Sequence, residues 1–159
     1  MLTRMFLIAA LCLVPLFGKA RTLQGLDQYA THATVAGIAD DRSVQSELRQ
    51  LLGPDYEGFT RNFQHWAAPA KLRDGGLFVE GWQKGEHHKK TSVFIVYRDG
   101  RIHAAWMGAD DGVLRYYTNA RNDAHELPPA LKVWPGILGR PISTLYMSAR
   151  QNTDPAVSR

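Results

Sequence analysis

Apolar residues recur at helical spacing where the amphipathic part of the chain begins. In residues 43–52, the side chains of Val44, Leu48 and Leu51 fall on one helical face, and Gly53 directly follows the run. A repeat at intervals of three and four residues is typical of a helix that covers a core, and a glycine commonly ends one. The pattern therefore predicts a helix over residues 43–52.

An aromatic stripe follows and predicts a second helix. Pro54 suits a first helical turn, and Pro69 ends the pattern. Between them, aromatic residues repeat at intervals of three and four: Tyr56, Phe59, Phe63 and Trp66. Such a stripe is the ordinary means by which a helix covers a sheet, so we expect these rings in the core. A ligand-binding aromatic cluster is the alternative.

From Gly75 onward the chain changes to short runs rich in β-branched and aromatic residues, separated by glycine-containing turns. These runs predict strands over residues 77–84, 92–98, 101–107 and 113–119. Asp99-Gly100 joins the two middle runs, and both residue types tolerate the positive φ of a type I′ hairpin turn.

The expected fold class is α+β. It is an antiparallel β-sheet meander of about four to five strands with the N-terminal helices packed on one face. Residues 142–148 would be the fifth strand. Residues 126–132 predict a loop or a short helix opened by proline. We find no repeat or linker that would divide the chain into two domains.

The first twenty residues have the pattern of a signal peptide. Arg4 gives a positive start, residues 5–17 are apolar apart from Pro15, and Gly18 and Ala20 are small. The apolar run is shorter than the roughly 20 residues that span a bilayer, so we expect no membrane insertion after cleavage. The sequence predicts a signal peptide over residues 1–20, one domain over 21–159 with a flexible tail at 152–159, and a periplasmic location. Secretion is the alternative.

Charge and cysteine content change once residues 1–20 are removed. Arg4 and Lys19 leave with them, so the 19 basic residues fall to 17 against 15 acidic ones, and the net charge falls from +4 to +2. Cys12, the single cysteine, also leaves. We find no stripe of lysine and arginine of the kind that binds nucleic acid, so no nucleic-acid partner is expected. A mature chain without cysteine favours the periplasm over extracellular fluid.

The motifs of common enzymes are missing from the sequence. There is no thiol nucleophile in the mature chain, no Gly-x-Ser-x-Gly elbow, no phosphate-binding glycine loop and no His-Glu-x-x-His helix. Asp110-Asp111 precedes a turn glycine, which favours a solvated turn over paired catalytic carboxylates. We therefore expect no enzymatic activity, no catalytic residues and no cofactor. His103 is expected to pack on the sheet opposite Ile102 and Trp106, and His65, beside Trp66, is expected to be a helix-surface or packing residue.

His87 and His88 are weak candidates for a metal site. Adjacent residues in an extended segment point to opposite sides, and the neighbouring lysines Lys84, Lys89 and Lys90 would repel a cation. No metal is expected.

The segment 84–91, here called the His/Lys loop, concentrates polar groups between two predicted strands. It is larger than a simple hairpin turn requires. One interpretation is a solvated charged loop. The other is a recognition loop that places imidazole and ammonium donors in an acidic cleft of a partner. The candidate partner-binding residues are Lys84, Glu86, His87, His88, Lys89 and Lys90.

Residues 55–122 resemble the inhibitor of vertebrate lysozyme (Ivy) family. The motifs that carry the resemblance are Phe59-Thr-Arg-Asn-Phe-Gln-His-Trp-Ala-Ala-Pro, Phe78-Val-Glu-Gly-Trp, the runs 93–97 and 102–107, and Leu114-Arg-Tyr-Tyr-Thr-Asn. Members are bacterial periplasmic proteins that block the active-site cleft of C-type lysozymes. The resemblance thus implies a lysozyme or another peptidoglycan-cleaving hydrolase as partner, and a homodimer as the oligomeric state to test.

This chain departs from the family in the inhibitory loop. The family has a Cys-Lys-Pro-His-Asp-Cys loop closed by a disulfide, and its histidine corresponds to His87. The cysteine positions fall near Lys84 and Lys89, the proline near Glu86 and the aspartate near His88. The covalent clamp is therefore missing.

Two other functions stay open at this point. One is a cell-envelope binding module that holds a peptidoglycan fragment or a peptide on the sheet face or around Trp82 and Trp106. The other is an immunity protein that neutralises a secreted toxin. Each needs only an exported α+β scaffold with an exposed surface, so the fold class alone does not separate them.

Overall fold

The structure of the protein is a computed structural model that describes residues 23, 25–29, 31, 34, 37–38, 41–108, 112–120, 125–134 and 143–148. The expected signal peptide at 1–20, the Asp110-Asp111 turn and the tail at 152–159 lie outside the described residues. No helix in the described ranges combines the length and the apolar character that a bilayer crossing requires.

Helix α1 (Arg42–Leu52) confirms the first predicted helix. Its N-terminus is capped by Asp41, whose Oδ1 accepts hydrogen bonds from the N–H groups of Ser43 at 2.9 Å and Val44 at 3.2 Å. A 3₁₀ turn (Gly53–Asp55) leads directly into helix α2 (Tyr56–Arg61). An earlier 3₁₀ turn covers Leu26–Tyr29.

The second predicted helix ends earlier than its aromatic pattern indicated. Trp66 and His65 form strand β1 (His65–Trp66), so the expectation of a helix continuing towards Pro69 is wrong. The reason is a tertiary contact at the end of the helix. The Asn62 side chain donates hydrogen bonds to Ser92 Oγ at 3.0 Å and to the carbonyl of Met107 at 3.1 Å, which draws the chain onto the sheet.

The strands after β1 are β2 (Ala70–Lys71), β3 (Leu77–Trp82), β4 (Thr91–Val96), β5 (Ile102–Met107), β6 (Val113–Thr118) and β7 (Ser143–Ser148). The seven strands form one sheet in the order β1-β3-β4-β5-β6-β7, with β2 also pairing with β3. The α+β class and the meander from β3 to β6 are confirmed. The count of four to five strands was too low, because β1 and β2 have two residues each and show no alternating pattern.

The last strand departs from an all-antiparallel sheet. β7 pairs with β6 in parallel, with Val113 opposite Ser143. A parallel neighbour requires a crossover of about a dozen residues or more. The segment 119–142 is long enough to provide one. It contains the short helix α3 (Pro129–Lys132), so the segment predicted as a loop or a short helix includes a helix.

The hairpin between β4 and β5 is confirmed, but its turn is not type I′. Gly100 has φ 87°, whereas no non-glycine residue in the described ranges has a positive φ. The Gly100 N–H donates to the Tyr97 carbonyl at 3.0 Å, and the Tyr97 N–H donates to the Arg101 carbonyl at 2.9 Å. This is the three-residue loop that ends in a left-handed glycine.

Both faces of the sheet are covered. On one face, Val79, Phe94 and Ala104 belong to a core cluster shared with helix α1. On the other face, Val93, Ile95 and Tyr116 share a core with two residues from the segment of α3, Leu131 and Trp134. The N-terminal helices therefore pack on one face as predicted, and the C-terminal segment adds a second layer. Strand β4 is buried along its whole length for this reason.

Candidate functional site

The His/Lys loop is a folded element made of two consecutive turns. It is closed where the N–H of Gln83 donates to the carbonyl of Lys90 at 3.0 Å. The Glu86 N–H donates to the Gln83 carbonyl at 2.9 Å, and Gly85 has the positive φ (75°) that the third position of a type II turn requires. The Glu86 carbonyl then accepts from the N–H groups of Lys89 and Lys90, at 2.9 and 2.8 Å.

The base of the His/Lys loop is tied to the segment that leaves helix α2. The Lys84 N–H donates to Gln64 Oε1 at 3.3 Å, and Gln83 Nε2 donates to Asn62 Oδ1 at 3.2 Å. Asn62 is buried and also bonds Ser92 Oγ on β4. One buried amide thus connects the start of the loop with the strand that follows it.

His87 is turned back onto the sheet. Its Nε2 lies 3.2 Å from Oε1 of Glu80, a buried residue of β3. Its ring also meets Trp82 edge to face, with ring centroids 4.4 Å apart. A buried carboxylate requires a hydrogen-bonding or charged partner, and the His87 imidazole supplies one.

The outer surface of the His/Lys loop is basic. Lys84, His88 and Lys89 are exposed, whereas Glu86 and Lys90 are half-buried. Ammonium and imidazolium groups form the stronger, charge-assisted hydrogen bonds with carboxylates. The structure thus gathers all six candidate residues in one loop and divides them into an outward basic set and a half-buried set that includes His87.

Two residues of this site were not recognised from the sequence. Glu80 faces the same side of β3 as Trp82 and holds His87. His65 lies opposite Trp82 in the β1–β3 register, with the two rings stacked at a centroid distance of 6.4 Å. His65 is thus a packing residue, one of the two roles expected for it, but it lies on strand β1 and not on a helix. A charged residue between buried neighbours of a strand was the available signal for Glu80.

Trp82 and Trp106 do not form a joint surface. Along β3, Trp82 shares a face with Phe78, which packs against the core that contains Trp134. Trp106 packs against the opposite core, where its ring meets Gly58 of α2. A ligand held between the two tryptophans is therefore excluded, because the sheet separates them.

His103 is buried on the face opposite Ile102 and Trp106, as expected. Its Nδ1 lies 2.7 Å from the hydroxyl of Tyr116, and the two rings are stacked. This pairing is that of a core histidine whose polar atom is satisfied.

A cavity of about 230 Å³ adjoins His103 and is lined by Tyr97, Asp74 and Arg101, with Pro128 on another side. The Tyr97 hydroxyl donates to Asp74 Oδ2 at 2.7 Å, and Arg101 lies over the Tyr97 ring. Burial, and then the neighbouring Asp74 carboxylate, raises the pKa of Tyr97. The polar groups of this cavity therefore pair largely with one another.

Metal-ligating residues do not gather in the described ranges, where no group of three or more His, Cys, Asp or Glu could hold an ion. His87 and His88 are near each other, with ring centroids 5.0 Å apart, but His87 is directed at Glu80.

No protein-family model, no curated protein and no solved structure matches this chain. The His/Lys loop is therefore interpreted from its own geometry and chemistry.

Proposed function

We propose that this protein is an exported, Ivy-like inhibitor of a lysozyme-type muramidase and that the His/Lys loop enters the acidic cleft of that enzyme. The observation that carries the proposal is a basic loop held in one shape without a disulfide. Muramidases of this type work with two carboxylates in a cleft. A loop that presents ammonium and imidazole groups is complementary to such a cleft and needs to perform no chemistry.

The internal hydrogen bonds of the loop replace the covalent clamp of the family. Ordering a flexible loop on binding costs about 0.5–1.5 kcal/mol for each immobilised side chain. The Gln83–Lys90 closure and the contact of His87 with Glu80 provide part of that order before the partner arrives. A preformed loop loses less entropy on binding, which supports recognition without a disulfide.

The geometry favours a division of roles within the loop. Lys84, His88 and Lys89 are the direct contacts in this proposal, because their side chains are exposed. His87 positions the loop through Glu80 and adds a partly exposed ring edge beside the basic groups. Glu86 and Lys90 form the turn that connects the two sets.

The target is selected by the loop and not by long-range attraction. A mature charge of +2 provides little steering towards any partner, and none towards a basic lysozyme. A bacterial lytic enzyme or a toxin with muramidase activity is therefore as suitable a target as a C-type lysozyme.

A lysis assay tests the proposal with the mature protein against C-type, G-type and bacterial lytic enzymes. The double variant Lys84→Ala/Lys89→Ala should weaken inhibition by about tenfold or more, the loss that corresponds to about 1.4 kcal/mol. Lys132→Ala is the matched control, because this exposed lysine lies on α3, outside the loop. The proposal fails if the wild type inhibits none of the enzymes, or if the double variant inhibits as well as the control.

A further inference from the structure

A second cavity lies between the N-terminal helices and the sheet. Its volume is about 260 Å³, and its walls are mainly aromatic and aliphatic. Tyr56, Phe63 and Trp66 line it and are only half-buried, so their rings remain accessible from solvent. The aromatic stripe seen in the sequence thus surrounds an open space as well as covering the sheet.

The cavity has the size of one small ligand. An apolar cavity of about 150 Å³ accommodates a benzene ring, whereas sites for drug-sized molecules measure roughly 300–1,000 Å³. At about 260 Å³, this cavity suits one ring or a short acyl chain. Burial of such a group against three aromatic rings would be favourable because it removes apolar surface from water.

A positive charge lies beside the cavity, over one of the rings that line it. The Arg49 guanidinium carbon is 4.5 Å from the centroid of the Tyr56 ring, which lines the cavity. Arg42 and Arg49 are seven residues apart on α1, which places them on one side of the helix about 10 Å apart. Both line an open groove that shares Gln45 with the cavity.

Neither arginine is neutralised within the described part of the chain. The ion pairs found there use Asp27, Glu80, Asp99 and Glu126, and none of them includes Arg42 or Arg49. Glu47 lies on α1 two residues from Arg49, a spacing at which helical side chains do not face each other.

We propose that this cavity binds a small amphiphilic monocarboxylate. The apolar part, a single ring or a short acyl chain, lies among Tyr56, Phe63 and Trp66, and the carboxylate pairs with Arg49. Guanidinium groups match carboxylates in geometry as well as in charge, because they can form two parallel hydrogen bonds. This binding site is separate from the His/Lys loop and does not depend on muramidase inhibition.

Calorimetry of the mature protein tests the proposal with hexanoate, octanoate, decanoate and phenylacetate, and with 1-octanol as the uncharged match of octanoate. Octanoate should bind about tenfold more tightly than 1-octanol, because one contact is charge-assisted. Arg49→Gln should remove this difference and leave 1-octanol binding unchanged. Arg61→Gln is the control, since this exposed arginine of α2 lines neither cavity nor groove.

A second variant tests the cavity itself. Thr60 is exposed and lines the cavity, so Thr60→Trp should fill the mouth and reduce binding of octanoate and 1-octanol alike. Thermal melts of each variant confirm folding. The proposal is overturned if none of the carboxylates binds the wild type, or if either Arg49→Gln or Thr60→Trp binds octanoate as the wild type does. Arg49→Gln should still inhibit a muramidase, which keeps the two functional tests independent.

Discussion

Nε2 of His87 lies 3.2 Å from Oε1 of Glu80, and this contact joins the His/Lys loop to the interior of strand β3. The His87 side chain is 35% exposed and that of Glu80 is 8% exposed. The loop therefore covers a buried carboxylate with its own imidazole. The order of the loop and the stability of the sheet are coupled at this point, because His87 both holds the loop in place and is the partner of the buried Glu80.

His87→Ala should destabilise the protein by about 1–3 kcal/mol, because Glu80 then loses its partner while it stays buried. Glu80→Gln/His87→Ala should recover part of this loss, since an amide is less costly to bury than a carboxylate. Urea unfolding of both variants and of Glu80→Gln alone measures the coupling. Equal stability of His87→Ala and wild type would show that the contact contributes nothing.

Gly81→Ala should destabilise the protein by about 1–3 kcal/mol through overpacking. A Cβ at this position would overlap the ring of Phe63, which packs directly on the glycine. Phe63→Leu in the same chain should relieve the overlap and recover part of the stability. The measurement is the urea midpoint of the two single variants and the double variant, and additive losses would contradict the explanation.

Gly85→Ala provides a contrasting case, because a methyl group added there would meet no heavy atom within 4 Å, while the φ of Gly85 is 75°. Its cost should be the roughly 1–2 kcal/mol of a left-handed residue, with no dependence on Phe63. Urea midpoints in the wild-type and Phe63→Leu backgrounds measure it. If the loss of stability caused by Gly85→Ala differed between the wild-type and Phe63→Leu backgrounds, its cause would be steric and not the left-handed backbone.

Gly100→Val should cost at least about 1 kcal/mol, since the turn holds this residue at φ 87° and a β-branched side chain is strained there. Gly100→Asn should cost less, because asparagine visits the left-handed region more readily. Thermal melts rank the two variants against the wild type. Equal stability of Gly100→Val and Gly100→Asn would contradict the left-handed conformation at this turn.

Stability should fall at alkaline pH because Tyr29, Tyr97 and Tyr117 each donate a hydroxyl hydrogen bond to an aspartate. Burial and then the aspartate raise the pKa of Tyr29 to about 12 and raise the pKa of the other two as well. A tyrosine whose pKa is higher in the folded state than in the unfolded state stabilises the fold while it is protonated. This contribution is fully present below the unfolded pKa of 10.0 and is lost as the pH rises through the folded pKa.

Urea unfolding between pH 8 and pH 12, with tyrosinate absorbance of the folded protein, measures this effect. Tyr117→Phe should reduce the alkaline loss of stability, since one of the three linked groups is removed. Titration of all tyrosines of the folded protein near pH 10 would disprove the linkage.

The local elements could be predicted from the sequence because their causes are local. Val44, Leu48 and Leu51 mark one face of α1, and Gly53 follows its last residue. The hairpin at Asp99-Gly100 is marked by the glycine that the turn requires. The His/Lys loop was found for the same reason, since its polar composition interrupts two apolar strands.

The tertiary structure decided where α2 ends, that β7 pairs in parallel with β6, and where His87 points. The Asn62 side chain bonds the carbonyl of Met107, 45 residues away, and this contact turns the chain from helix to strand. Glu80 holds His87 only because the His/Lys loop folds back over the end of β3, the strand that precedes it. Such contacts depend on how the chain folds back on itself and not on its local pattern, so the sequence pattern predicts most of the elements, whereas packing determines the end of α2 and the position of His87.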